Sequence, residues 1–99
     1  MDIAIEFNNI TFSGHDRKLA VNERKHRISL EQAAQAYFDP FARFVDASRH
    51  GEHREAYIGR DFSLNLLYVV HLQHSENDIL IISARLATSD EEQYYDNQF

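Results

Sequence analysis

The chain has no cysteine, one proline and three glycines in 99 residues. Without cysteine it has no disulfide, no thiolate metal ligand and no thiol nucleophile, so nothing ties it to an oxidising compartment. So little proline and glycine excludes a linker-rich or disordered chain. Long apolar runs are missing as well: residues 66–70 and 79–82 fall far short of the roughly 20 needed to cross a bilayer. Residues 1–6 carry neither the basic n-region nor the apolar h-region of a secretory signal. The expected place is therefore the cytoplasm, with no membrane role. A Gly-x-Ser-x-Gly elbow, a Walker motif and a dinucleotide glycine pattern are all absent, which argues against a serine hydrolase and a nucleotide cofactor. No cofactor is expected.

What remains is ordinary globular composition, 43% hydrophobic and 26% charged, at a length that suits one domain over residues 1–99. The net charge of -6 would by itself count against nucleic-acid binding, since phosphate contact depends on clustered lysine and arginine. The charge is polarised, however. Residues 15–60 hold nine of the ten bases against seven acids, a local net of +2, together with four of the six histidines. Residues 61–99 hold seven acids against Arg85 alone. Because fields act over about 8–10 Å, one side of the molecule can serve an anion and another a basic partner, although uneven surface composition by chance gives the same tally.

Hydrophobic patterning predicts a short N-terminal hairpin or strand over 3–7 and 10–12, at a sheet edge. A three-turn helix is expected over 16–26, where helix formers run without Gly or Pro. Ser29-Leu30-Glu31-Gln32 has the form of a capping box opening a second helix over 30–38. Its apolar positions Leu30, Ala33, Ala34, Tyr37 and Phe38 make one core-facing stripe, and Pro40 ends it. A short strand follows over 41–45, then an exposed loop over 47–52. Strand-like runs over 56–59, 64–72 and 79–84 are joined by short polar turns and read as antiparallel hairpins. The last two should be central and covered on both faces. Thr88-Ser89-Asp90-Glu91 is a second capping box, opening a short acidic helix. The fold class is α+β: an antiparallel sheet with two N-terminal helices packed on it and a short C-terminal helix.

Three groups of side chains invite chemistry. Lys18, Asn22, Lys25 and His26 share one side of the first helix. They suit a plain solvated face, or a site in which imidazole moves a proton while ammonium groups stabilise phosphate charge, as metal-independent RNA cleavage requires. Arg85 ends a strand, where it can pair with Glu91, Glu92 or Glu55 or grip a phosphate with its fork. Asp46, His50, Glu52, His53 and Arg54 crowd one polar loop. His50-x-x-His53 has the look of a metal pair but lacks a placed third ligand, so no metal is expected. His71 and His74 lie three apart on a strand and read as an edge-facing pair without a role.

The run Lys18-x3-Asn22-x2-Lys25-His26-x-Ile28-Ser29-Leu30-x2-Ala33, then Asp39-Pro40, Asp46-x3-His50-Gly51-Glu52-x-Arg54 and Tyr57-Ile58-Gly59, and finally Ile82-Ser83-Ala84-Arg85-x-Ala87-Thr88-x2-Glu91-x3-Tyr95 resembles the BrnT family of toxins from bacterial type II toxin–antitoxin systems, over about residues 12–96. The chain departs from that pattern at Gly14-His15, where Trp-Asp is usual, at Arg27, where Gly is usual, and at Leu80, where a base is common. The resemblance implies a RelE-like fold, ribonuclease activity that arrests translation, and neutralisation by a BrnA-like ribbon-helix-helix antitoxin in a two-plus-two complex. Operator DNA would be contacted only through the antitoxin. It further implies a catalytic set of Lys25, His26, Glu52, Arg54 and Arg85, with Lys18, Asn22, Arg27, Asp46 and His50 as RNA contacts. Alternatives are a catalytically weak module that acts only by binding its antitoxin, and an unrelated small metal protein using its histidines.

Overall fold

The computed structural model describes residues 2–99. Strands β1 (Asp2–Phe7) and β2 (Ile10–His15) form an antiparallel hairpin. They turn on Asn8 and Asn9, both at positive φ, as a two-residue turn matched to strand twist requires. Helices α1 (Asp16–His26) and α2 (Leu30–Tyr37) follow, then β3 (Arg43–Asp46), β4 (Glu55–Arg60), β5 (Leu66–Ser75), β6 (Asp78–Leu86) and α3 (Ser89–Asp96). Both capping boxes are formed. The Ser29 and Thr88 hydroxyls accept from the Gln32 and Glu91 N–H groups, and the Gln32 and Glu91 side chains reach back to the N-cap backbone. The second helix stops at Tyr37, one residue before the expected end.

The strand order is β1-β2-β6-β5-β4-β3, with β1 at an edge and β5 and β6 central. One expectation needs correcting: the sheet is mixed, because β2 runs parallel to β6, Thr11–Ser13 lying beside 78–80. Hairpin turns announce antiparallel neighbours from local residues, whereas this pairing joins segments with no turn between them. Its direction depends on how the two helices carry the chain across the sheet.

Alternation sorts the side chains of the sheet to two faces. On one, Tyr57, Leu67, Val69, Ile79 and Ile81 pack with Leu19 of α1 and with Leu30, Ala33 and Ala34 of α2. The Tyr57 hydroxyl donates to the Ala33 carbonyl. Gly59 lets α2 approach β4, since a Cβ there would collide with the Ala36 carbonyl oxygen. On the other face, Ile58 and Leu66 pack with Tyr95 of α3. Asp39 ties these parts together: its Oδ2 accepts from the Arg60 N–H (2.8 Å) and the Tyr95 hydroxyl (2.7 Å).

Two further expectations change. His71 is no edge residue; it is 1% exposed, between the rings of Phe44 and Tyr57. A register shift between Val70 and His71 accompanies this placement, and a three-residue spacing could not reveal it. The central strands are also not fully covered on both faces, since Tyr68, Val70, Ser83 and Arg85 stay partly exposed and line a groove.

Candidate active site

Helix α1 lies beside the part of β6 that has outrun its neighbour. Strand β2 pairs with β6 only as far as Leu80, so further along the backbone of Ala84 faces no strand on that side. Asn22 stands in for one: its Nδ2 donates to the Ala84 carbonyl (2.9 Å) and its Oδ1 accepts from the Ala84 N–H (3.1 Å). Both functions of the amide are thus taken up by the fold, and the side chain is buried. Asn22, expected among the RNA contacts, docks α1 on the edge of β6 and also lines the groove that this docking leaves.

That docking leaves a groove of about 390 Å³ between helix and strand, lined by Lys18, Lys25, His26, Ile82 and Ser83 among others. The two lysines are exposed and His26 is half-buried. A second groove of about 400 Å³ opens on the sheet face away from α1 and α2, lined by Arg49, Arg54, Tyr68, Ser83 and Arg85 among others. Ser83 is a wall of both. The basic and imidazole groups of the implied catalytic set are therefore divided between adjoining grooves, Lys25 and His26 in the first and Arg54 and Arg85 in the second.

Residues 47–52, expected as an exposed loop, have a definite shape together with residues 53 and 54. Arg49 and Glu52 exchange backbone hydrogen bonds (3.1 and 2.8 Å) around His50 and Gly51, both at positive φ, so the β3–β4 hairpin continues to a two-residue turn. Asp46 Oδ1 accepts from the Ser48 N–H at 2.9 Å, and hydrogen bonding to Ser48 holds its carboxyl below the usual range. This shape directs Arg49 and Arg54 to the groove and leaves His50 at the exposed tip, outside it. Arg27 lies elsewhere, in a shallow depression with Glu23 and Arg24. Its φ of 61° accounts for the glycine usual at this place: it is the left-handed cap of α1, where a side chain is disfavoured.

The arginines of the second groove differ in how firmly they are held. Arg54 donates to Glu52 Oε2 at 2.7 Å, but Glu52 is 69% exposed, so this is a surface pair worth about 0–1 kcal/mol. Arg85 binds Glu91 with both arms of its fork (2.8 and 2.9 Å) and lies 4.3 Å from the Tyr68 ring centroid. Hydrogen bonding to Glu91 raises the Arg85 pKa against the opposing effect of burial. Burial in turn disfavours the Glu91 carboxylate, but the bonds from Arg85 and from the Thr88 backbone and hydroxyl outweigh it and hold its pKa low. Both are charged near neutral pH. Of the partners considered for Arg85, the structure selects Glu91, whose carboxylate also completes the cap of α3.

Arg49, Tyr68 and Ser83 did not emerge as candidates from residue types and spacing. The one local signal was alternation, which puts Ser83 and Arg85 on the same face of a strand. Tyr68 joins them only through the β5–β6 register, where it sits opposite Arg85. Among the described residues no carboxylate lies within ion-pair distance of Lys18, Lys25 or Arg49.

A comparison with protein families matches residues 15–91 to the model described as "Ribonuclease toxin, BrnT, of type II toxin-antitoxin system". The chain belongs to the BrnT family. No curated protein matches its sequence significantly. The BrnT match spans α1 through the first turn of α3 and so includes both grooves and Glu91. BrnT membership implies a ribonuclease toxin with an antitoxin partner. Among the described residues no helix is long and apolar enough to cross a membrane.

Proposed function

We propose that this chain is an endoribonuclease toxin that cleaves RNA without a metal and so arrests translation and growth. The observation that carries the reading is the pair of cationic grooves meeting at Ser83, one supplying lysine and imidazole and the other arginine. A phosphodiester held by Arg49, Arg54 and Arg85 would have its charge stabilised as the 2′-oxygen attacks phosphorus. His26, or Glu52, takes the 2′-hydroxyl proton, and Lys25 or a second donor protonates the departing 5′-oxygen, leaving a 2′,3′-cyclic phosphate and a 5′-hydroxyl end. Lys18 steadies the strand beyond the scissile bond. Phosphate reaches Arg54 at little cost, because its pair with Glu52 is a surface one.

The test is cleavage of a single-stranded RNA by the purified chain in excess EDTA. Cleavage with cyclic-phosphate ends is expected, together with a loss of at least 100-fold, about 2.7 kcal/mol in the barrier, in His26→Ala and Arg85→Ala. Unaltered cleavage in both variants, or cleavage abolished by EDTA, would refute the assignment.

We further infer a RelE-like architecture, a BrnA-like ribbon-helix-helix antitoxin bound two-plus-two, operator contact through that antitoxin alone, and a cytoplasmic site of action. The second reading, a binding module with little catalysis, is favoured by one observation: Arg54 and Arg85 both have carboxylate partners within the chain. Harmless expression together with tight antitoxin binding is what that reading expects.

A further inference from the structure

Another cavity lies away from both basic grooves and shares no lining residue with them. It is a groove of about 610 Å³ between the end of α2, the β4–β5 turn and the end of α3. Its walls carry Phe41, Phe62, Leu64 and Phe99, which are 50%, 67%, 71% and 72% exposed. Single exposed apolar residues are common on protein surfaces, but four large ones around one groove mark an interaction site.

The turn that presents two of them is rigid and strained. Asp61 Oδ1 accepts from the Ser63 and Asn65 N–H groups (both 2.9 Å), and its Oδ2 accepts from the Gln32 and Asn65 side chains (3.1 and 3.0 Å). The Leu64 N–H donates to the Asp61 carbonyl and the Arg60 guanidinium to the Leu64 carbonyl. Within this frame Leu64 has φ 69°, a left-handed conformation suited to Gly or Asn and unfavourable for leucine. Folding alone has no use for a strained leucine held out in water. A preformed anchor does.

Charge says what the anchor takes. The groove's ionisable side chains include Asp39, Asp61 and Asp96 against Arg60; the first turn of α3 adds Asp90 and Glu92, its Glu91 being taken up by Arg85, while Arg43 lies against Tyr94. An RNA phosphate backbone is repelled here. A second copy of the chain docking the same face would set its acids against these, which like-charge juxtaposition disfavours. Resting on the toxin–antitoxin reading, we propose that this groove is the docking site for the antitoxin, received through a segment with apolar anchor residues flanked by lysine or arginine.

The experiment measures binding of the antitoxin from the same operon to the full chain, using Phe62→Lys, Leu64→Lys and Asp96→Lys. All three positions are exposed, so melting temperatures should stay close to that of the unmodified chain. Affinity is expected to fall by roughly thirty-fold or more in Phe62→Lys and Leu64→Lys, as for central interface anchors. Asp96→Lys should slow association several-fold at low salt. In cells, growth arrest by the Leu64→Lys toxin should no longer be relieved by the antitoxin. Binding that survives both anchor substitutions overturns this proposal alone. An unmodified chain that binds no antitoxin overturns it together with the toxin–antitoxin reading. A dimer of the free chain that Leu64→Lys dissociates, with antitoxin affinity unchanged, also overturns it, by giving the groove to a second copy.

Discussion

Replacing Asn22 by alanine should be among the most damaging changes available to this chain outside its apolar core. The side chain is 9% exposed and supplies the hydrogen-bond partners of the Ala84 N–H and carbonyl where β6 lacks a neighbouring strand. Its removal deletes two hydrogen bonds worth roughly 1 kcal/mol each, and either backbone group left dry adds about 1–3 kcal/mol. Water entering beside α1 will relieve part of that, so a loss of about 2–4 kcal/mol is expected. With a urea m-value of ~1.5 kcal/mol/M, the midpoint should fall by about 2 M at unchanged slope. Lys18→Ala, on the same helix but exposed, should change stability by no more than ~0.5 kcal/mol. Asn22→Asp keeps an acceptor for the Ala84 N–H but sets a carboxylate against its carbonyl. It should be as unstable as alanine near neutral pH and recover partly where the new carboxyl protonates and can donate. A midpoint shift below about 0.3 M for Asn22→Ala, roughly 0.5 kcal/mol at that slope, would refute the idea that this amide replaces a strand.

Three other substitutions follow from local geometry. Arg27→Gly relieves the left-handed cap of α1 and should raise stability by up to ~1 kcal/mol, since added freedom in the unfolded chain takes back part of the gain. Calorimetry that shows a lower melting temperature would contradict it. His15 occupies the N-cap of α1 without a side-chain cap bond; His15→Asp should add about 0.5–1.5 kcal/mol, read as a higher urea midpoint, and no gain would count against the capping assignment. Neither ring nitrogen of His71 has a hydrogen-bond partner of good geometry, and burial lowers its pKa against weaker opposing effects of the Val69 backbone and the Glu55 carboxylate. Between that lowered value and the ordinary 6.5 of the unfolded chain the unfolded state binds more protons. Stability should therefore fall as pH drops below 6.5, and fall no further from this cause below the native pKa. His71→Leu should flatten that part of the stability profile and, by removing an unsatisfied buried group, add ~1 kcal/mol at pH 7. An identical acid slope in the two proteins would exclude the assignment.

Much of the architecture was legible where the information is local. Ser29 with Gln32 and Thr88 with Glu91 mark helix starts because a capping box needs residues only three apart, and both boxes form. Strands β4, β5 and β6 announced themselves as hairpins through short polar turns. The candidate site was legible in its residue types more than in its arrangement. Lys25, His26, Arg54 and Arg85 stood out as residue types able to handle phosphate, but their division between two grooves depends on which face of β6 each meets. Asn22 looked like its solvated neighbours Lys18 and Lys25, because helical spacing shows which residues share a side and not what that side rests against.

By itself the sequence determined the helices, the antiparallel hairpins, the polarised charge and, through the elements around Lys25-His26 and Ser83-Ala84-Arg85, the family. Those features arise from interactions within a few residues of chain, whose geometry is set by backbone dihedrals and side-chain reach. Tertiary structure alone decided that β2 lies parallel to β6, that Asn22 completes an unpaired strand, that Glu91 holds Arg85, and that Phe62 and Leu64 stand out over an acidic groove. Each is a meeting of segments or faces whose approach is governed by packing of the whole core, which no local stretch of chain encodes.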